Sequence, residues 1–130
     1  MQMRQKLEEL LNRALPVLTD KPIWIWGAGN TAQLYQEGFK RLEEEGFKIE
    51  GYIDKNADLL KNSFAGKPVI LPQKLQNREK ICVLICTIRP TTIKQIQQMC
   101  KEKEIECYPI DEVILKLHRK EVMQCFDLLE

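Results

Sequence analysis

Ile23-Trp24-Ile25-Trp26-Gly27-Ala28-Gly29-Asn30-Thr31-Ala32 is the stretch on which the fold turns. Four large apolar residues in succession suit a strand buried on both faces. The Gly-x-Gly-x-x-Ala that follows suits the turn by which such a strand enters a helix. Gly27 permits the tight reversal, Gly29 lets the backbone approach a ligand phosphate, and small Ala32 lets the helix pack closely on the strand. Asn30 and Thr31 open the helix, whose unpaired N–H groups and positive dipole end would face an anion.

Outward from this turn, short apolar runs alternate with helical patterns, as in successive β-α units of a parallel sheet. Five strands are expected, at 22–26, 47–53, 68–71, 81–86 and 105–109. Leu34, Tyr35, Phe39 and Leu42 form the apolar stripe of a crossover helix over 31–45. Ile93, Ile96 and Met99 do the same over 91–103, where Pro90 helps initiate the helix and Thr91 or Thr92 caps it. Between the second and third strands, 56–60 offers about one helical turn before the Gly66-Lys67-Pro68 break.

The expected fold class is therefore α/β: a Rossmann-like three-layer α/β/α sandwich whose five parallel strands run in the order 3-2-1-4-5, over residues 20–111. An amphipathic helix with Leu7, Leu10, Leu11, Ala14 and Leu15 on one face precedes it, within 1–19. A last helix, capped by Asp111, carries Val113, Ile114, Leu117, Val122 and Phe126 through 112–130. It stops at Leu128-Leu129-Glu130 without a C-cap glycine, as a linker to a further domain would, or as a natural end. The terminal helices leave open a homodimer or a further domain in a longer parent.

At 130 residues the chain has the size of one domain, and 44% hydrophobic against 30% charged residues argues against disorder. Lys and Arg number 20 and Asp and Glu 19, a balance that disfavours nucleic acid as a partner. No apolar run reaches the roughly 18 residues of a membrane span, and the charged N-terminus is unlike a signal peptide, so a cytoplasmic location is expected. Five cysteines without paired spacing, and one histidine, predict reduced thiols and no metal site.

Asp54 ends the second strand, 25 residues beyond Gly29, near the place roughly 20 residues on where an acid accepts both hydroxyls of a ribose. An acid there favours NAD or a nucleotide-sugar ribose over a 2′-phosphate, although the adjacent Lys55 weakens that preference, and Asp54-Lys55-Asn56 also reads as a plain turn. In the expected strand order the first and fourth strands are neighbours, which brings Thr87 and Arg89 to face the 27–31 loop. Arg89 offers a planar fork to a diphosphate or carboxylate, or is a solvated loop cation. Trp24 and Trp26 share one strand face and read as core, Cys86 as a small buried residue beside the site, and His118 as exposed.

The runs IWIWGAGNTAQLYQEGF, FKIEGYIDKN, FAGKPVILPQKL and ICVLICTI resemble the small Rossmann-like domain of bacterial nucleotide-sugar-modifying proteins, over 22–111. Such domains occur with sugar acyltransferases, nucleotide-sugar dehydratases, glycosyltransferases and FkbM-type methyltransferases. The ending EVMQCFDLLE is similar to the helix leading into an FkbM-type methyltransferase domain. The resemblance implies Gly27, Ala28, Gly29, Asn30 and Thr31 around a phosphate, Asp54 at a ribose and the Thr87 region across the crevice. Lys55 and Arg89-Pro90 depart from the family pattern.

Three functions follow. The first is an accessory or substrate-binding module for NAD(H) or a nucleotide sugar in a larger sugar- or methyl-transferring enzyme. The second is a SAM-dependent methyltransferase, against which Trp24 stands where that loop type carries an acid. The third is an interaction domain with an empty loop, its glycines kept only for the turn.

Overall fold

The computed structural model describes residues 5, 6, 9, 21–75, 80–117 and 119–129. Of the expected N-terminal helix only Gln5, Lys6 and Glu9 fall among them, each helical and exposed. The rest of that helix, and His118, lie outside the described residues.

The strand β1 (Ile23–Trp26) forms because its alternation serves two cores at once. Ile23 and Ile25 pack with Phe39, Leu42 and Val113, while Trp24 packs with Val83, Ile96 and Cys100 on the opposite face. Each sheet face is thus covered by helix, and the chain is a mixed α/β structure around one largely parallel sheet. The other strands are β2 (Ile49–Ile53), β3 (Ser63–Phe64), β4 (Lys67–Ile70), β5 (Cys82–Ile85) and β6 (Glu106–Pro109).

The sheet order is β3-β4-β2-β1-β5-β6. It departs from the expected five-strand order by the edge strand β3, which pairs antiparallel with β4 while every other pairing is parallel. This two-residue strand has no apolar run to announce it. Its turn, Ala65-Gly66, places both residues at positive φ, +50° and +77°, as a tight hairpin requires, but with alanine where Asn or Asp usually gives the signal. The connection from β2 to β3 is a chain of hydrogen-bonded turns over 55–62.

Three helical expectations need correction. The crossover expected as one helix over 31–45 is two, α1 (Asn30–Leu34) and α2 (Gln36–Glu44), broken at Tyr35. Tyr35 donates its hydroxyl to Asp111 Oδ1, and Leu34, expected in the apolar stripe, is 83% exposed. The helix α3 (Pro90–Glu102) begins one residue earlier than expected, with Pro90 in its first turn and Arg89 at the N-cap, so neither Thr91 nor Thr92 caps it. Asp111 likewise lies inside the first turn of α4 (Ile110–Leu117) rather than before it, its carboxylate taken by Tyr35; α5 (Arg119–Leu129) follows.

Candidate functional site

The register aligns the ends of three adjacent strands: Trp26 stands beside Ile53 on one side and Ile85 on the other. The next residue of each, Gly27, Asp54 and Cys86, therefore emerges at one level along the carboxyl edge of the sheet. Chain direction reverses its progress across the sheet between β1 and β5, and a crevice opens where the two connections diverge. The crevice is a cavity of about 670 Å³.

All nine residues expected to contact a ligand line this one cavity. Gly27, Ala28, Gly29, Asn30 and Thr31 come from the β1-α1 loop, Asp54 and Lys55 from the end of β2, and Thr87 and Arg89 from the β5-α3 loop. The geometry gives them different tasks. Gly27 has φ of +124°, donates its N–H to the Ile53 carbonyl at 2.8 Å, and would drive a Cβ to 2.4 Å from the Cys86 carbonyl oxygen. Its place is structural, since only glycine tolerates both conditions. Gly29 has φ of −155°, outside the left-handed region, and nothing lies within 4 Å of where its Cβ would stand. Packing does not require a glycine there.

Asp54 fastens the loop. Its Oδ2 accepts the Ala28 N–H and its Oδ1 the Asn56 N–H, each at 2.8 Å. One bond holds the backbone of the β1-α1 loop against β2 and the other closes an Asx turn. Both carboxylate oxygens are engaged, and the Ala28 N–H with them. What remains toward the cavity on the loop are the first-turn N–H groups of α1, which have no acceptor within a helix. With five residues, α1 supplies less dipole than the expected 15-residue helix would.

Thr87 and Arg89 form their own turn, the Thr87 hydroxyl accepting the Arg89 N–H at 3.4 Å. The side chains of Lys55 and Arg89 are exposed at the cavity and make no ion pair among the described residues. Cys86 is 2% exposed, and burial, with the Asp111 charge second, pushes its thiol up to about 12. It is no nucleophile near neutral pH.

The sequence reading missed the opposite wall. Trp26, Pro72, Ile96 and Met99 line the cavity with an apolar surface, and Thr92 and Gln95 add polar groups from α3. The available signal was the position of Trp26 immediately before Gly27, at the exposed end of its strand, where it is half-buried while Trp24 is buried. The cavity is thus two-sided, polar toward the glycine loop, where Lys55 and Arg89 make no ion pair among the described residues, and apolar toward α3.

The chain matches no protein-family model, no curated protein and no solved structure.

Proposed function

We propose that this chain is a Rossmann-like nucleotide-binding module, holding NAD(H) or a nucleotide sugar as an accessory or substrate-binding part of a sugar- or methyl-transferring enzyme. The observation that carries the reading is the contrast between the two glycines. Gly27 is demanded by the turn, whereas Gly29 borders the cavity with open space where a side chain would stand. A loop kept only for its turn needs the first and not the second. A bare Gly29 leaves backbone open to a phosphate, with Arg89 across the crevice to share the charge.

The apolar wall of Trp26, Pro72 and Met99 suits the face of a nucleobase. Among the lining residues, Asp54 is tied up by two backbone donors and Cys86 is held protonated, so the cavity favours binding over acid-base chemistry. Five free thiols fit a reducing, cytoplasmic setting. No helix among the described residues is long and apolar enough to cross a membrane.

The test is a thermal-shift panel with NAD, NADH, NADP, SAM, UDP-N-acetylglucosamine and UDP. Ligand at about 100 times its Kd adds about 2.7 kcal/mol, a shift of several degrees for a domain this size. The expected result is a shift for one nucleotide class that disappears in a Gly29→Val variant melting like the parent without ligand. A flat panel from a cooperatively melting protein overturns the reading.

A further inference from the structure

We infer that Cys100 and Cys107 are a paired oxidation site, at which a hydroperoxide closes a disulfide between α3 and β6, Cys107 being the sulfur attacked and Cys100 the one that resolves it. The inference is independent of the nucleotide reading. The turn from α3 into β6 brings the two residues together. Glu104 takes the left-handed conformation, with φ of +57°, and the chain doubles back so that Ile105 donates its N–H to the Cys100 carbonyl at 2.8 Å. Beyond that bond the strand runs back along the helix, and Cys107, two residues on from Ile105, faces the same side of the sheet. That side holds Val83, Ile96, Cys100 and Ile105 in one apolar cluster, and Cys107 packs against it. Cys82, on the neighbouring strand β5, packs in the cluster of the opposite face and so lies across the sheet from Cys100.

Accessibility and protonation divide the roles. Cys107 is half-buried and within reach of a small oxidant, whereas Cys100 is buried. The Cys100 thiol donates a hydrogen bond to the Cys107 sulfur, which lowers the Cys107 pKa and raises that of Cys100. Burial and the Glu106 charge oppose the lowering at Cys107, but the Glu106 carboxylate is itself occupied by Lys21 at 2.7 Å and by the Tyr108 hydroxyl at 2.6 Å. In the first step the Cys107 thiolate attacks one peroxide oxygen and the O–O bond breaks. The sulfur becomes a sulfenic acid, and the second oxygen takes up a proton and leaves as water or an alcohol. In the second, the Cys100 sulfur attacks that of Cys107, and the S–S bond forms as the S–O bond breaks. The Cys100 proton passes to the departing oxygen, which leaves as water. The hydroperoxide has then received the two electrons that the thiol pair lost. The bridge ties to β6 the helix that carries Ile96 and Met99 of the cavity wall.

The test is peptide mass spectrometry of the full chain, exposed while folded to one equivalent of hydrogen peroxide, then blocked with N-ethylmaleimide and digested without reductant. Trypsin leaves Cys100 in the peptide 95–101 and Cys107 in 104–116, so the bridge joins two separate fragments. The expected result is those two fragments linked, released again by dithiothreitol, and formed at least about tenfold faster than any oxidation of Cys82 or Cys86. In Cys100→Ala a sulfenic acid should accumulate at Cys107, where dimedone captures it. In Cys107→Ala, Cys100 should stay reduced under the same dose. Oxidation confined to Cys125, including a bridge between two chains through it, overturns the inference, as does a link between Cys100 and Cys107 that appears only in urea. Sulfinic acid at Cys107 of the parent with no link to Cys100 overturns it too, because the resolving thiol has then failed to act. The peptide map of the parent decides these outcomes whether or not either variant folds.

Discussion

At the scale of single residues, the two loop glycines make opposite predictions for the same substitution. Gly27→Ala sets a methyl 2.4 Å from the Cys86 carbonyl and asks alanine to hold φ of +124°. The backbone must move or the loop must open, at a cost of about 3 kcal/mol or more. Gly29→Ala meets nothing within 4 Å and should leave urea unfolding within about 0.5 kcal/mol of the parent while weakening nucleotide binding. If both variants lose stability alike, the functional reading of Gly29 fails.

The thiols give a second residue-scale expectation. Burial raises the pKa of Cys82 and Cys86, and Cys100 is raised chiefly by the hydrogen bond it shares with Cys107, which lowers the Cys107 thiol. Cys125 is exposed and Cys107 half-buried. Iodoacetamide at pH 8, read by peptide mass spectrometry, should label Cys125 and then Cys107, and reach Cys82, Cys86 and Cys100 only on unfolding. Labelling of Cys86 in step with Cys125 would contradict its place beneath the loop. The motif showed that Gly27, Gly29 and Asp54 belong together. It could not show that Asp54 is spent on the Ala28 N–H, because only the observed register brings the end of β2 level with that amide.

Among elements, the joint at Tyr35 ties the first crossover to α4 through the hydroxyl donated to Asp111. That bond, with burial second, pushes the Tyr35 phenol up from 10 to about 12. A phenol whose folded pKa exceeds its unfolded one stabilises the fold fully below the unfolded value. That contribution is lost as pH rises from about 10 through about 12. Tyr35 is partly exposed, so its removal costs only about 1 kcal/mol. Melting temperatures of the parent and Tyr35→Phe should differ at pH 8 and converge by pH 12. A constant difference across that range would mean that the ring and not the hydroxyl matters. The apolar spacing of this crossover was legible, but its division was not: periodicity tracks the buried face through Phe39 and Leu42 and is blind to a break set by a partner 76 residues away. The early start of α3 follows from Pro90, whose fixed φ and missing N–H suit the first turn better than any threonine hydroxyl suits a cap behind it.

For the molecule as a whole, the alternation of apolar strands with helices was enough to anticipate a parallel sheet with β1 between β2 and β5, because four consecutive large apolar residues have no other home than a doubly covered centre. The antiparallel edge strand and the apolar wall of the cavity were not, since the first is two residues long and the second is assembled from Trp26, Pro72 and Met99, 73 residues apart at their widest. The same architecture dictates how stability should be distributed. All four residues of β5 are buried, as are the first three of β1, while β3 and β6 lie at the edges and keep partial exposure. Amide hydrogen exchange should therefore be slowest in β1 and β5 and faster in β3 and β6, because a central strand opens only when the sheet does. Added nucleotide should slow exchange in the loops at 27–31, 54–56 and 87–89, which meet at the carboxyl edge, and leave 46–48 and 103–105 at the opposite edge unchanged beyond the global gain in stability. Protection spread evenly over both edges would show that a ligand stabilises the molecule without occupying this crevice, and protection confined to α5 would move the site off the sheet altogether.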